Sequence, residues 1–91
     1  MVGINQKEKM KKYKLTNETI KLGEIILYRI EALIDFDDVK KGSKGGFIEK
    51  EGNLSQDGLA WVYGNAMVYG DAIVYGDAKV FDNARVYGNA R

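Results

Sequence analysis

The chain of 91 residues contains no cysteine, no histidine and no proline. Without cysteine it can form neither a disulfide framework nor a thiolate zinc site. Without histidine it lacks the commonest general base and the commonest metal ligand. The absence of proline leaves the turns to 11 glycines, together with asparagine and aspartate, which also tolerate turn conformations. The sequence therefore predicts no catalytic residue, no metal site and no cofactor.

Charges of the two signs are nearly balanced, with 14 basic and 13 acidic side chains. Such a balance gives no general attraction to nucleic acid or to a membrane surface. Apolar runs stay far below the roughly 20 residues that cross a bilayer. The first ten residues are polar and lysine-rich, unlike a signal peptide. We therefore expect a cytoplasmic protein with no membrane partner and no direct nucleic-acid partner.

The N-terminus carries lysines at positions 7, 9, 11, 12 and 14. A run of this kind is typical of a solvated, frayed terminus. We expect residues 1–12 to form a flexible arm, and a basic arm that binds nucleic acid is the alternative.

Residues 13–45 do not repeat, and their main feature is the apolar run IILYRIEALIDF at residues 25–36. Its β-branched and aromatic content favours a strand. Five of its residues alternate on one predicted face: Ile26, Tyr28, Ile30, Ala32 and Ile34. A helix over residues 24–33 is the competing interpretation, because short apolar runs are ambiguous. We predict a small antiparallel meander.

Two polar segments follow this run. Asp35, Asp37 and Asp38 lie in a predicted loop, where we expect solvated carboxylates rather than a cation site. Residues 40–46 (KKGSKGG) are glycine-rich and basic but lack the spacing of a phosphate-binding loop. We expect them to form a plain connection.

Residues 46–91 repeat a six-residue unit, Val-Tyr-Gly-Asn/Asp-Ala-x. The valines are Val62, Val68, Val74, Val80 and Val86, and the alanines are Ala60, Ala66, Ala72, Ala78, Ala84 and Ala90. Each Ala-x-Val-Tyr segment predicts a short strand that points alanine and valine inward and the other two residues outward. The following Gly-Asn or Gly-Asp pair predicts a sharp corner. Four strand residues and a two-residue corner make one side of a polygon.

Three such sides close a triangular coil of eighteen residues, and successive coils stack in parallel. Weaker units begin at Gly46 and Gly52, and the corner around residues 56–59 carries two extra residues. The repeat resembles the hexapeptide unit of left-handed parallel β-helices. Residues 35–66 also resemble the N-terminal part of uncharacterised bacterial and phage proteins grouped with hexapeptide-repeat transferases. The resemblance implies the left hand, since spacing alone does not fix it.

The predicted fold is therefore mainly β. A short left-handed parallel β-helix of about two coils occupies residues 46–91, and the antiparallel meander of residues 13–45 precedes and caps it.

The outward positions distinguish one unit from the next. Residues eighteen apart are expected to lie side by side, which stacks Tyr63 on Phe81 and Tyr69 on Tyr87. Such aromatic rows pack between coils, but large exposed apolar rows also mark protein interfaces. We expect at least one face to bind a protein partner. The predicted partner-binding residues are Trp61, Tyr63, Met67, Tyr69, Ile73, Tyr75, Lys79, Phe81, Arg85, Tyr87 and Arg91.

These features predict a non-catalytic protein-interaction module of phage or mobile-element type. The most specific form of this hypothesis is an inhibitor of a bacterial defence system, such as a CRISPR effector nuclease (an anti-CRISPR protein). A structural or oligomerising β-helix module and a degenerate hexapeptide-repeat acyltransferase are the alternatives. We also expect a homo-oligomer, formed through the C-terminal coil at residues 79–91, because an uncapped coil exposes its core and strand edges.

Overall fold

A computed structural model of the chain describes residues 11–88. The predictions for residues 1–10, and those for Ala90 and Arg91, lie outside this range. The described strands are β1 (Tyr13–Leu22), β2 (Ile25–Ala32), β3 (Lys44–Ile48), β4 (Trp61–Val62), β5 (Met67–Val68), β6 (Lys79–Val80) and β7 (Arg85–Val86), with a short 3-10 helix at Glu51–Asn53. Within residues 11–88 there is no helix long and apolar enough to cross a membrane.

The apolar run forms strand β2, which pairs antiparallel with β1 across a turn at Gly23. The alternative helix over residues 24–33 is therefore wrong. Ile30 and Ala32 face the core as predicted, but Ile26 is exposed and Leu27 is buried instead. The pairing of β2 with β3 shifts register between Arg29 and Glu31. A register irregularity changes which side chains face the core. The predicted alternation therefore holds from Ile30 to Ala32 and fails on the N-terminal side of the irregularity.

Strands β1 and β2 form a hairpin, and strand β3 joins this hairpin to the repeats. It pairs antiparallel with β2 on one edge and parallel with β5 on the other. The resulting five-stranded sheet has the order β1-β2-β3-β5-β7. The predicted boundary between residues 45 and 46 falls inside this strand, so the meander and the repeats share it.

The repeats pair in parallel at the predicted spacing. Val62 lies opposite Val80, and Val68 opposite Val86, eighteen positions apart in each case. Ile48 lies opposite Val68, twenty positions away, which confirms two extra residues in the intervening corner. A bridge between Leu54 and Val74 forms a third column of parallel pairing. The repeats therefore wind as a solenoid with three pairing columns.

The corners adopt the backbone conformation that their sequence predicts. Gly70 has a φ angle of 69°, in the left-handed region that glycine enters without steric cost. Asp82 occupies the equivalent corner of a later unit with a φ angle of 60°. One aspartate thus takes a conformation for which the other units use glycine.

The inward valines line the core, as predicted. Val62 and Val68 are fully buried, and Val86 packs against the same cluster at its edge. Tyr13 from β1 and Ile30 from β2 belong to this cluster as well. One continuous apolar core therefore extends from the hairpin into the solenoid, and the hairpin covers the first turn.

Candidate protein-binding site

Aromatic side chains stack along the outside of the solenoid at the predicted positions. The ring centroids of Tyr63 and Phe81 lie 4.6 Å apart with an interplanar angle of 16°. Those of Tyr69 and Tyr87 lie 5.2 Å apart at 7°. Stacked pairs of this kind contribute about 0.5–1.5 kcal/mol beyond the area that they bury. The eighteen-residue register is therefore enough to predict both contacts.

Trp61 was predicted to bind a partner, but the structure places it elsewhere. It lies opposite Lys79 on the outside of the solenoid, as expected, yet only 1% of its surface is exposed. The rings of Tyr13 and Phe36 pack edge-on against its indole, with centroid distances of 6.2 and 5.3 Å. Trp61 is therefore a core residue between the hairpin and the solenoid, inaccessible to a partner in this structure.

The flexible arm was predicted to extend to residue 12, but Lys12 does not belong to it. Its side chain is buried, and its Nζ donates to the carbonyls of Ala60 at 2.8 Å, Gly58 at 3.3 Å and Asp57 at 3.4 Å. Burial lowers the pKa of Lys12 to about 8; Asp57 opposes this shift and Lys79 adds to it. Lys12 thus fastens the hairpin to the corner that carries the two extra residues.

Gln56 makes the neighbouring contacts of the same corner. Its Oε1 accepts hydrogen bonds from the backbone N–H groups of Lys12 at 2.7 Å and Tyr13 at 3.3 Å. The Tyr13 hydroxyl lies 2.6 Å from the carbonyl oxygen of Leu54 and 2.9 Å from that of Glu51. Burial, with a further contribution from Glu51, raises the pKa of Tyr13. The two extra residues are therefore the sequence signal that the hairpin packs against this corner.

The loop after β2 covers a second part of the same side. Asp37 pairs with Lys79, and this hydrogen bond lowers the pKa of Asp37 and raises that of Lys79. Asp38 accepts a hydrogen bond from the Tyr63 hydroxyl at 2.8 Å. Asp35 accepts one from the backbone N–H of Lys41 at 2.7 Å. All three carboxylates are exposed, as predicted, but each also accepts a hydrogen bond within the protein. Two predicted partner-binding residues, Tyr63 and Lys79, thus contact this loop.

On the neighbouring side of the solenoid, Arg29 packs against the first outward residue, Phe47. Its guanidinium lies 4.3 Å from the centroid of the Phe47 ring. It also donates to the carbonyls of Gly45 at 2.6 Å and Gly64 at 3.2 Å, and it pairs with Glu18 at 2.8 Å. Stacking and hydrogen bonding together fix the hairpin against this side and bury Phe47.

On the same side of the solenoid as Phe47, the hairpin does not cover the outward residues of β5 and β7. Met67 lies beside Arg85, and the stacked pair Tyr69 and Tyr87 continues the row. Tyr87 is 58% exposed, Arg85 is exposed, and Met67 and Tyr69 are half-buried. We call these four residues the aromatic–arginine face. Of the other predicted residues, Tyr75 and Phe81 are exposed and Ile73 is half-buried.

Comparison with known proteins agrees with this geometry. Residues 60–76 match the family model described as the YdcK beta solenoid repeat. The chain carries a repeat similar to that of hexapeptide β-solenoid proteins. It is 36% identical over 62 residues to the "Uncharacterized acetyltransferase YdcK" of Escherichia coli (strain K12). The match covers 59% of this chain and 19% of that relative, so the chain spans about a fifth of the relative's length. The resemblance to transferase-related hexapeptide proteins is thereby confirmed.

Proposed function

We propose that this chain is a non-catalytic module that binds a protein partner through the aromatic–arginine face. The observation that supports this most directly is the uneven cover of the solenoid. The hairpin and its loop bury Trp61 and contact Tyr63 and Lys79 on one side. The row on β5 and β7 keeps Arg85 and Tyr87 at the surface.

The chemistry of this face suits a protein surface that is partly apolar and partly acidic. Tyrosine and arginine are enriched among the residues that dominate binding energy in interfaces. The Tyr69–Tyr87 stack holds two large rings in one orientation, so little conformational entropy is lost when a partner binds. Arg85 adds a planar cation that pairs with carboxylates in bidentate geometry.

The groups with shifted pKa values support a non-catalytic role. Strongly perturbed groups often mark catalytic sites. In residues 11–88 the perturbed groups each take part in the contact between the hairpin or its loop and the solenoid: Lys12, Tyr13, Asp37, Tyr63 and Lys79. Packing and anchoring therefore account for the shifts without a reaction.

The narrower form of the proposal names the partner as a bacterial defence enzyme, such as a CRISPR effector nuclease. The expected resemblance of residues 35–66 to uncharacterised bacterial and phage proteins supports it. The test is phage plating on cells that carry an active CRISPR system and express the chain. Restored plaque formation is expected, and variant Arg85→Glu should abolish it. If the chain leaves interference unchanged in several CRISPR types, the narrower form is contradicted and the broader proposal is not.

The broader proposal is tested by comparing variants in affinity capture. The immobilised chain should retain a defined protein from bacterial lysate, and Arg85→Glu and Tyr69→Ser should each weaken that capture at least tenfold. Asn17→Ala, an exposed change on the hairpin, is the matched control. The single tryptophan, Trp61, is buried, so its unshifted emission verifies the fold. Equal capture by all variants would contradict the assignment of this face.

Acyl transfer is a second candidate because the E. coli relative is named an uncharacterised acetyltransferase. An acyltransferase needs a general base, and this chain has no histidine to supply one. Incubation with acetyl coenzyme A and a panel of amine and hydroxyl acceptors should give no release of the free thiol above background. Release that depends on the chain would favour this candidate over the binding module.

We further propose that the solenoid is left-handed and completes about two coils within the described residues. The eighteen-residue register of Val62–Val80 and Val68–Val86 supports the coil length, and the resemblance of the repeat supports the hand. Parallel connections are otherwise almost always right-handed. A crystal structure with right-handed coils would contradict this proposal.

A further inference from the structure

The alanine carbonyls of the repeat accept hydrogen bonds from the turn that precedes them. The carbonyl oxygen of Ala78 accepts one from the backbone N–H of Trp61 at 3.3 Å, and that of Ala84 accepts one from Met67 at 2.9 Å. Ala60 holds the same position one turn earlier, just before strand β4. Within residues 11–88, β4 pairs with β6 alone, so no earlier strand offers an N–H group to the Ala60 carbonyl. This buried carbonyl therefore needs a donor from elsewhere.

Lys12 is that donor. Its Nζ lies 2.8 Å from the carbonyl oxygen of Ala60, 3.3 Å from that of Gly58 and 3.4 Å from that of Asp57. An ammonium group has three N–H donors and no acceptor, so three carbonyls match its capacity. The ring of Phe36 lies 5.1 Å from the same nitrogen, within the range of a cation–π contact. Only 2% of the surface of Lys12 is exposed, so these groups replace water around the cation.

The solenoid holds these carbonyls in place without help from Lys12. The N–H groups of Leu59 and Trp61 each donate to a carbonyl of the following turn, at 3.0 and 3.3 Å. Within residues 11–88 every peptide bond is trans, so each C=O points opposite to the N–H of its own peptide unit. The carbonyls of Gly58 and Ala60 belong to these two units and are therefore directed away from the following turn, toward Lys12. The acceptors are thus fixed before the cation arrives.

The chemistry of this corner fits an amine better than a metal ion. Divalent calcium takes about six to eight oxygen ligands at roughly 2.3–2.6 Å. The three carbonyl oxygens lie 2.8–3.4 Å from the nitrogen, which is the range of N–H···O hydrogen bonds. Because the whole side chain of Lys12 is buried, the site also encloses the methylene stem that carries the ammonium group.

We propose that the corner at residues 57–60 is a binding site for a primary alkylammonium group, which the chain fills with its own Lys12. The ammonium group takes the place of the N–H groups that one turn donates to the next. Packing of the hairpin against the solenoid therefore depends on one bound cation as well as on apolar contacts. The site lies beside β4, apart from the aromatic–arginine face on β5 and β7, and does not rest on the proposed function.

The test is to shorten Lys12 and supply the missing group in solution. Lys12→Ala leaves a space with the shape of propylammonium. At about 0.1 M propylammonium chloride the folding equilibrium constant of this variant should rise about fivefold, because a ligand that binds only the folded state stabilises it. Urea unfolding followed by the emission of the single tryptophan, Trp61, measures the change. The parent chain should not respond, because Lys12 already occupies the site.

Two controls separate the amine site from a general salt or solvent effect. Tetramethylammonium chloride carries the same charge without an N–H donor, and propanol has a similar size without charge, so neither should stabilise Lys12→Ala. The matched variant is Lys12→Met, which keeps an apolar stem in the space and lacks the ammonium group. It should not respond to propylammonium.

A measurement on the parent chain covers the case in which Lys12→Ala does not fold even with propylammonium. Nitrogen NMR of the lysine-labelled chain should show one ammonium group whose protons exchange slowly with water, and Lys12→Met should lack this signal. Equal stabilisation of Lys12→Ala by propylammonium and tetramethylammonium would overturn the proposal. So would an equal response of the parent chain and Lys12→Ala, or the absence of a slowly exchanging ammonium group from the parent.

Discussion

The two ends of the solenoid are built from the same repeat, yet they differ in burial. At the end that the hairpin covers, Val62 and Ala60 are fully buried. Toward the last described residues, Val80 keeps 9% of its surface exposed and Ala84 is exposed. The local sequence is nearly identical at both ends. Burial, and the stability that each residue contributes, therefore depends on what packs above and below a turn rather than on the repeat itself.

The largest expected effect concerns the glycine at the small inward position of the first unit. A Cβ atom on Gly46 would lie 2.5 Å from the Ala66 carbonyl oxygen and 2.6 Å from a Val62 methyl carbon. Gly46→Ala should therefore lower the free energy of unfolding by about 3 kcal/mol through overpacking. Chemical denaturation measures this effect.

Gly52 holds the corresponding sequence position of the next unit but lies exposed in the 3-10 helix, and it provides the control. A Cβ atom there meets nothing within 4 Å, so Gly52→Ala should be neutral or slightly stabilising. Equal losses for the two variants would show that the first turn is not packed as tightly as this comparison requires.

The valines give the next effect in size. Val62→Ala removes two buried methyl groups from the covered end and should cost about 2 kcal/mol. Val86→Ala removes the same atoms at the edge of the core and should cost less than half as much. The midpoints of thermal unfolding at low protein concentration compare the two.

The buried lysine predicts a pH dependence of the covered end. The pKa of Lys12 is about 8 in the folded protein, against 10.5 for a lysine exposed to water. Between these values the unfolded chain binds more protons, so stability should rise with pH, by about 1–2 kcal/mol. Above pH 10 the raised pKa of Tyr13 acts in the opposite direction. The unfolded chain then binds fewer protons at this residue, so the contribution of Tyr13 to stability falls as pH rises.

Lys12→Met isolates this contribution. The variant loses three hydrogen bonds to carbonyls, so its overall stability should be lower. The informative quantity is the slope of stability between pH 8 and 10, which should flatten in the variant. An unchanged slope would assign the pH dependence to other groups.

The smallest effect lies at the corners of the last described units. Asp82 has a φ angle of 60°, a conformation that costs most residues with a side chain about 1 kcal/mol. Asp82→Gly should therefore stabilise the folded chain by roughly 0.5–1 kcal/mol. The reverse test is Gly76→Ala, with a φ angle of 64° and open space around the added carbon, which should destabilise by a similar amount. Unfolding in urea measures both.

The period of the repeat predicts the contacts within the solenoid because paired residues are separated by a constant number of positions. The spacing of Tyr69 and Tyr87, or of Val62 and Val80, is enough to place each pair in contact. The contacts of the hairpin could not be predicted in this way. Lys12 and Phe36 reach the solenoid through packing between distant segments, and nothing periodic in residues 13–45 marks their partners.

The candidate site shows the same division. Spacing predicts which residues point outward, so Met67, Arg85 and Tyr87 are placed correctly. It does not show which outward residues the hairpin covers, and for that reason it places Trp61 in the wrong environment. The irregular corner near Gln56 is the one sequence feature that distinguishes the docking side.

Strand β3 has a consequence for the order in which the chain folds. Its two edges pair in opposite senses, with β2 antiparallel and with β5 parallel. A hairpin with local contacts forms within microseconds, whereas isolated two-residue parallel strands have too few bonds to persist. Once β3 joins the hairpin, its free edge becomes a template that sets the register of β5, and β5 then sets that of β7. Assembly of the solenoid is thereby expected to be vectorial, starting from the N-terminal half and propagating one turn at a time.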